Sequence, residues 1–221
     1  VAMGKLVVIE GLDGSGKATQ TALLAETLKE TRKVRVVSFP DYKSHSSALV
    51  RMYLAGDFGS KPGYVNAYAA SAFYAVDRYA SYSRDWGEFY RSDGLVLADR
   101  YATSNAIHQC AKLPENQWQA YVDGLQDFEY DKMGIPRPGF VVCLDVEPEV
   151  SQKLLAERYG EEDGRDIHEQ DLEYLVRCRK AAHWCAHHLG WHMVVCSNNG
   201  EMRERDAIAR EVLETVQTEA L

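Results

Sequence analysis

A glycine-rich turn between an apolar run and a helical segment constrains this chain more than any other feature. Residues 7–20 read VVIEGLDGSGKATQ, in which an apolar, β-branched run leads to Gly11, four further residues, Gly16 and Lys17. A turn with this spacing wraps backbone N–H groups around phosphate oxygens, and its lysine reaches the outer phosphates. The helix predicted over residues 18–28 would direct the positive end of its dipole at the same anion. The alternative is a glycine-rich βα turn that binds no ligand.

The residue after the lysine departs from the phosphate-binding pattern. That position usually carries Ser or Thr, whose hydroxyl ligates Mg²⁺, and here it is Ala18. A carboxylate that could hold the metal instead is Asp99, at the end of the apolar run LVLAD, and Arg100 beside it could clamp a phosphoryl oxygen. The alternative for this pair is a strand-end acid bonded to a surface arginine. A second strand-end acid, Asp145, precedes a helix start and is interpreted as structural.

Composition limits the class of protein. The chain has 221 residues and 46% hydrophobic content, which is enough for a single domain spanning residues 1–221. A net charge of −8 argues against a nucleic-acid partner. We expect no membrane span, because no apolar run approaches about 18 residues, and no signal peptide, because no charged n-region precedes an apolar segment. The five cysteines form no CxxC pair, which favours buried thiols in a reducing cytoplasm over disulfides or zinc.

Apolar runs alternate with helical stretches along the chain. This order indicates a parallel sheet covered on both faces, whose ligands lie at the carboxyl ends of the strands. We predict an α/β fold with a three-layer α/β/α arrangement. Its five strands are predicted at residues 6–9, 34–39, 95–98, 140–146 and 192–196.

The remaining segments are predicted from their polarity and length. Further helices are expected at residues 65–86, 115–131, 172–189 and 203–216. The most polar stretch, residues 158–169, reads RYGEEDGRDIHE and is predicted to be a solvated, mobile excursion. Its arginines could instead form a salt-bridged surface with the neighbouring acids. Asp13, inside the glycine-rich turn, is either a turn-forming residue or a carboxylate that faces an acceptor or a metal-bound water.

Taken together, these segments make the chain resemble the thymidylate kinases, which are P-loop nucleoside monophosphate kinases. The matching segments are GLDGSGKATQ, SFP at 38–40, FYAVDR at 73–78, ADRYATSNA at 98–106, LDVEPEV at 144–150 and the arginine-bearing stretch before Glu169. They occur in the family's order and cover residues 7 to about 216. The glycine-rich loop alone is shared by many enzymes, whereas its combination with FP, an aromatic residue four positions before an arginine, and DRY…SN is specific.

This resemblance implies an activity. It implies a P-loop NTP hydrolase-like fold with a short lid at about residues 158–169, and transfer of the γ-phosphoryl group of MgATP to dTMP, giving dTDP and ADP for nucleotide biosynthesis. It also implies ATP and Mg²⁺ as cofactors, a cytoplasmic location and a homodimer. The alternatives are a kinase for another deoxynucleotide or deoxynucleoside acceptor, a nucleotide-binding protein without transferase activity, and a purely structural α/β domain.

On the donor side, the resemblance implies that the loop holds ATP and that Asp99 and Asp13 hold the metal. Because the fourth loop residue is Gly14 rather than a basic residue, the catalytic arginine is expected from the lid, although Ile167 stands where one more lid arginine would be expected. The loop residues implied to bind ATP are Gly11, Asp13, Gly14, Ser15, Gly16, Lys17, Ala18 and Thr19. The residues implied for catalysis are Lys17, Asp13, Arg100, Arg158 and Arg165.

On the acceptor side, the resemblance implies that Tyr74 stacks on thymine, that Arg78 hydrogen-bonds a base carbonyl and that Asn105 binds the N3 edge. His108 stands near the deoxyribose, where the family often has Tyr or Phe, so the discrimination between sugars is left open. The residues implied to bind dTMP are Asp13, Phe39, Pro40, Arg51, Phe73, Tyr74, Arg78, Arg100, Ser104, Asn105 and His108.

Overall fold

The computed structural model describes residues 4–159 and 166–221. For residues 158 and 159 it describes the backbone only. Within these residues, a five-stranded sheet has the order β2-β3-β1-β4-β5, and every neighbouring pair is parallel. The predicted α/β class is therefore confirmed, and each predicted strand end lies within two residues of the observed one. The strands are β1 Lys5–Gly11, β2 Val34–Ser38, β3 Leu95–Asp99, β4 Phe140–Asp145 and β5 His192–Val195.

Helices cover both faces of this sheet, as the three-layer prediction requires. Alternate residues of β1 face opposite layers: Val7 and Ile9 pack in one core cluster with the first and last helices, and Leu6 and Val8 pack in another with Trp86. The α-helices of the described residues are α1 Lys17–Leu28, α2 Ala48–Leu54, α3 Ala67–Ser81, α4 Gly87–Arg91, α5 Ala102–Cys110, α6 Trp118–Gln126, α7 Pro148–Tyr159, α8 Leu172–Leu189 and α9 Arg205–Glu219.

The strand register brings three chain segments to one edge of the sheet. Ile9 of β1 and Ser38 of β2 both align with Asp99 of β3. Gly11 at the end of β1 aligns with Leu144 of β4. The glycine-rich loop after β1 therefore lies beside the carboxyl ends of β3 and β4, which is where parallel sheets bind their ligands.

The helices differ from the prediction in their interruptions. The helix predicted at residues 65–86 begins at Ala67 and passes through a wide π-type turn, Tyr82–Trp86, into α4. The helix predicted at 115–131 contains a 3₁₀ turn, Glu115–Gln117, then α6, then a second π-type turn, Asp127–Lys132. Wide turns of this kind insert one residue into the helical repeat, and apolar periodicity does not reveal them.

Short elements escaped the sequence pattern. The helices α2 and α5 were not predicted, because each is too short to show a clear apolar period. A small antiparallel hairpin joins Ser197–Asn198 to Glu201–Met202 before α9. In the described part of the chain, no helix combines the length and the apolar character needed to cross a membrane. The predicted single domain and its lid at 158–169 stay predictions, since residues 160–165 lie outside the described residues.

Candidate active site

At two positions of the glycine-rich loop, only glycine fits both the backbone conformation and the space available. Gly11 has φ +147° and Gly14 has φ +76°. A Cβ atom at Gly11 would lie 2.8 Å from the carbonyl oxygen of Leu144, and one at Gly14 would lie 2.8 Å from that of Ser151. Gly16, with φ +84°, differs, because among the described residues nothing lies within 4 Å of the position of its Cβ. The loop is therefore packed against β4 and α7 on one side and open at Gly16.

The open side of the loop presents hydrogen-bond donors. Gly16 precedes α1 without a side-chain cap, and its carbonyl accepts the N–H of Gln20. The N–H groups of the first helical turn, which includes Ala18 and Thr19, have no partner inside the helix, as at every helix start. The hydroxyl of Ser15 is buried and has no partner in the described ranges. These donors, together with the helix dipole, suit a phosphate group.

Lys17 folds back over this loop. Its Nζ donates a 2.7 Å hydrogen bond to the carbonyl of Leu12, and the side chain is buried. Burial, with a smaller contribution from Arg100, lowers the pKa of Lys17 to about 8, while Asp13 opposes the shift. The ammonium group remains mostly charged at pH 7, and in the described part of the chain it donates to a neutral acceptor, the carbonyl of Leu12.

Arg100 connects the end of β3 to the loop. It has φ +67°, which turns its side chain back across the sheet edge. Its Nη2 forms an ion pair with Asp13, and its Nη1 donates to the carbonyl of Gly11 at 3.3 Å. Burial alone would raise the pKa of Asp13, but the Arg100 guanidinium and the Lys17 ammonium outweigh it and hold that pKa below its usual range. Asp13 is therefore a carboxylate already bonded to an arginine.

Glu10 is a buried charged residue beside the loop that the sequence reasoning missed. Its side chain is fully buried at the end of β1 and forms an ion pair with Arg100 at 3.7 Å. It accepts hydrogen bonds from Thr103 Oγ1 at 2.7 Å and from Ser104 Oγ at 2.9 Å. The hydroxyl of Ser104, predicted to bind substrate, is thus occupied by Glu10. A charged residue inside the apolar run VVIEG is the signal that could have revealed this role.

Asp99 keeps one carboxylate oxygen unpartnered. Its Oδ1 is buried without a hydrogen bond in the residues that the structure describes, although its backbone carbonyl accepts the N–H of Phe39. Asp99 shares a groove with Ala18 and with Thr21, whose hydroxyl is also buried and unpartnered in this part of the chain. No set of three or more His, Cys, Asp or Glu side chains within residues 4–159 and 166–221 is arranged to hold a metal ion. A cation at Asp99 would therefore need oxygen ligands from phosphate or water, which is the usual arrangement for Mg²⁺.

A cavity of about 480 Å³, counting its solvent-open part, lies beside the loop. It brings together nine of the eleven residues predicted to bind dTMP, and Asp13 and Arg100 connect it to the loop. Asp166 and His168, which follow the undescribed residues, also contribute to its wall. The predicted residues that line it are Asp13, Phe39, Pro40, Tyr74, Arg78, Arg100, Ser104, Asn105 and His108.

Two predicted residues lie elsewhere. Phe73 packs its ring against Phe58, with a centroid separation of 5.6 Å, because neighbouring helix positions point about 100° apart and Tyr74 takes the cavity side. Arg51 lines an adjoining depression, where its Nη1 donates to the carbonyls of Tyr42 and Ser44 at 3.1 and 3.0 Å. The structure therefore places neither side chain in the cavity.

One wall of the cavity holds buried, interlinked polar groups. Arg78 forms a two-pronged ion pair with Glu129, which is fully buried, and the Asn105 amide donates to the same carboxylate. Burial by itself would lower the pKa of Arg78, but Glu129 raises it above its usual value. Gln109 lines the cavity with both amide atoms buried and unpartnered among the described residues. Sequence reasoning missed Glu129 and Gln109, and no sequence pattern marks either residue.

Two imidazoles that also line the cavity stack on each other. His108 and His168 have ring centroids 5.5 Å apart and planes at 15°. His108 Nε2 lies 3.4 Å from Arg100 Nη1, and His168 Nε2 lies 2.8 Å from the hydroxyl of Tyr53. Burial, followed by Arg100, lowers the pKa of His108 to about 3, and burial also lowers that of His168. Both rings are therefore neutral near pH 7.

Three predicted residues remain: Asp145, Arg158 and Arg165. Asp145 forms hydrogen-bonded ion pairs with Arg179 at 2.8 and 2.9 Å, which agrees with its structural interpretation. The side chain of Arg158 and the whole of Arg165 lie outside the described residues. The lid arginines therefore stay a prediction.

Comparison with known proteins identifies the family. A family model described as thymidylate kinase matches residues 9–207. The chain belongs to the thymidylate kinase family. Among its relatives, a thymidylate kinase of Mycobacterium tuberculosis is 31% identical over 176 residues, covering 78% of this chain and 81% of the relative. One of Schizosaccharomyces pombe is 28% identical over 180 residues, covering 80% and 78%.

A solved structure of the same family supports the fold. A thymidylate kinase from Candida albicans superimposes with a TM-score of 0.71 at 20% identity, covering 99% of this chain and 93% of that one. At this identity the likeness shows the fold alone. Membership of the thymidylate kinase family makes the chain a phosphotransferase, and the loop and the cavity are the parts that this chemistry requires.

Proposed function

We propose that this chain is an ATP-dependent dTMP kinase, which converts ATP and dTMP to ADP and dTDP. The observation that carries this proposal is that the phosphate-binding loop and the cavity share Asp13 and Arg100. The terminal phosphate of a triphosphate bound to the loop would therefore lie next to a ligand bound in the cavity. A kinase needs this adjacency, because the transferred group passes between two bound molecules.

The loop is the donor site of the proposal. The backbone N–H groups from Gly11 to Thr19 surround the triphosphate, and Lys17 exchanges the carbonyl of Leu12 for a phosphate oxygen. This exchange is favourable because a charged acceptor makes a stronger hydrogen bond than a neutral one. Arg158 and Arg165 belong to the proposal as lid residues that close on the phosphates.

The cavity is the acceptor site. The ring of Tyr74 stacks on thymine and Phe39 and Pro40 help to shape the pocket, while Arg78, Asn105 and Gln109 meet the polar edge of the base. Arg100 is placed to bind the acceptor phosphate, because it lies between the cavity and the loop. Phe73 and Arg51 are not part of this proposal.

The transfer needs alignment and positive charge rather than a general base. An oxygen of the dTMP phosphate forms a bond to the γ-phosphorus of ATP, and the bond from that phosphorus to the bridging oxygen of ADP breaks. The second pKa of a phosphate monoester is about 6, so no proton must be removed from the attacking oxygen at neutral pH. Lys17 and Arg100 offset the charge that gathers on the transferred group.

Mg²⁺ fits the unpartnered oxygen of Asp99 better than it fits Asp13. Asp13 already forms an ion pair with Arg100, whereas Asp99 Oδ1 has no partner in the described part of the chain. Asp99 would hold the ion directly or through water, in place of the hydroxyl that Ala18 lacks. When bound, Mg²⁺ neutralises phosphate charge.

We further propose a cytoplasmic homodimer whose partners are nucleotides. The five cysteines are buried and unpaired, which suits a reducing compartment. Tyr68, Val76 and Tyr79 leave an apolar stripe exposed along α3, as an interface between copies would require. Sedimentation equilibrium tests the dimer directly, and a monomer at micromolar concentration would contradict it.

The test of the activity is ADP release from ATP with dTMP, dUMP, thymidine, dCMP and dGMP in parallel. We expect dTMP to give the highest kcat/KM. A higher kcat/KM for thymidine or for another monophosphate would mean that this compound, and not dTMP, is the acceptor. ATP binding without acceptor-dependent ADP release would support a nucleotide-binding protein without transferase activity.

A further inference from the structure

Glu129 lies directly behind the wall of the acceptor cavity. It stands on the wide turn Asp127–Lys132, and its side chain is 0% exposed. Arg78 and Asn105 line the cavity, whereas Glu129 does not. Glu129 can therefore act on a ligand only through the side chains that it holds.

The contacts of Glu129 with Arg78 hold the guanidinium in one orientation. Arg78 Nε donates to Oε2 at 2.7 Å and Nη2 donates to Oε1 at 2.5 Å, which is the parallel two-bond geometry. Nη1 lies 3.5 Å from the carbonyl oxygen of Tyr101. The N–H groups that remain for a ligand are on the cavity side of the fork.

The same carboxylate is the charged acceptor among the groups that orient the Asn105 amide. Nδ2 of Asn105 lies 3.1 Å from Glu129 Oε1, 3.0 Å from Ser71 Oγ and 3.2 Å from the carbonyl oxygen of Ser71. An ionised carboxylate accepts hydrogen bonds and donates none, so the amide must turn Nδ2 toward Glu129. This leaves Oδ1, an acceptor, as the atom that faces the cavity.

We infer that Glu129 is a positioning residue that selects the base of the acceptor nucleotide. It makes the wall present a donor from Arg78 beside an acceptor from Asn105. This inference rests on the proposed function, because it concerns the same acceptor site.

The resulting pattern matches one class of pyrimidine. Thymine and uracil carry a carbonyl at position 4 and an N–H at position 3, which pair with a donor and an acceptor respectively. Cytosine carries an amino group at position 4 and an unprotonated nitrogen at position 3. Its amino donor would face the donor of Arg78, and its ring nitrogen, an acceptor, would face the acceptor of Asn105. A site with buried, oriented polar groups rejects such a mismatch strongly. The wall therefore favours 4-keto pyrimidines, and Glu129 maintains that preference.

The test is Glu129→Gln in the full-length chain, assayed with ATP and either dTMP or dCMP. The new amide places an NH₂ group against Arg78 or Asn105, which weakens the hold on the Arg78 guanidinium or on Asn105 Nδ2. We expect the ratio of kcat/KM for dTMP to that for dCMP to fall about 10- to 100-fold, mostly through KM. The matched control, Glu115→Gln, alters an exposed ion pair with Lys180 and should leave the ratio unchanged.

An unchanged ratio in folded Glu129→Gln would overturn the inference. If that variant does not fold, Glu129→Asp decides instead, because it keeps the charge but withdraws the carboxylate from Arg78 and Asn105 by one methylene group. A fall of about threefold in the ratio would support the inference, and an unchanged ratio would overturn it. If the wild type does not phosphorylate dTMP, the proposed function fails, and the relative binding of dTMP and dCMP to wild type and Glu129→Gln, measured by calorimetry, still tests the role of Glu129.

Discussion

The phosphate-binding loop and the base-facing wall of the cavity lie side by side but are built differently. The loop offers backbone N–H groups, shaped by three glycines with positive φ, and Lys17 contributes a positively charged side chain to it. The wall offers side chains held by other side chains, from α3, α5 and the turn Asp127–Lys132. Substitutions in the loop should therefore affect turnover, whereas substitutions in the wall should affect stability and acceptor choice.

The largest effect is expected from Arg78→Leu, which tests how much the wall contributes to stability. The substitution leaves the buried Glu129 carboxylate without its cation, and breaking a buried pair in this way costs about 3–5 kcal/mol. Urea unfolding should show this loss, since the residual hydrogen bond from Asn105 cannot replace the guanidinium. Arg137→Leu, which breaks the exposed pair with Asp131, should cost less than about 1 kcal/mol. Equal losses in the two variants would mean that the wall is not a buried network.

The loop is tested by Lys17→Ala. Removing a cation that stabilises developing charge should lower kcat about 10²- to 10³-fold. The midpoint of thermal unfolding should change little, because the ammonium makes one hydrogen bond, to the carbonyl of Leu12. Lys180→Ala, at an exposed lysine, should retain wild-type kcat. Wild-type turnover in the Lys17 variant would refute its assignment to the donor phosphates.

Tyr74→Ala measures the contribution of stacking to acceptor binding, apart from the other contacts in the cavity. Stacking of a base on an aromatic ring contributes about 1–3 kcal/mol, so the KM for dTMP should rise about 10-fold or more while kcat changes little. The neighbouring Phe73→Ala serves as the control, because that ring packs against Phe58 and Tyr53 instead. A larger rise in KM for the Phe73 variant would restore the original prediction for that residue.

The smallest effect concerns pH. The pKa of His108 is about 3 in the folded chain and about 6.5 when unfolded, so below pH 6.5 the unfolded state binds the extra proton. His108 should therefore cost about 1 kcal/mol of stability between pH 6.5 and 5.5, and nothing at higher pH. Urea unfolding of His108→Phe should show a shallower acid limb than wild type, while His187→Phe on α8 keeps the wild-type slope. Identical acid limbs for wild type and His108→Phe would show that the ring is not held neutral.

The two regions also differ in how far the sequence predicts them. The five strands could be located because each is a near-continuous apolar run, and the loop because its glycines and Lys17 have a fixed spacing. The predicted strand ends placed Asp13 and Arg100 at one sheet edge, since both residues follow strands. These are local properties, and a single window of sequence contains them.

The wall depends on contacts between distant segments. Arg78, Asn105 and Glu129 come from three elements, and Glu129 stands on a wide turn that breaks the helical period. The glutamate was therefore invisible to a pattern search, as was Gln109. Glu10 is an intermediate case: a charge in a buried strand signals a partner, but only the fold shows that Thr103 and Ser104 provide it. The structure brings Tyr74 rather than Phe73 to the cavity, and the sequence does not tell which of two neighbouring aromatic residues does so.

The central claim is that a phosphoryl group passes from a nucleotide on the loop to a nucleotide in the cavity. Incubation with ATP labelled with ³²P at the γ-phosphate, together with dTMP and Mg²⁺, tests this claim most directly when the products are separated by chromatography. We expect the label to appear in dTDP, and Lys17→Ala to slow its appearance. Label found only in inorganic phosphate or remaining in ATP would contradict the claim.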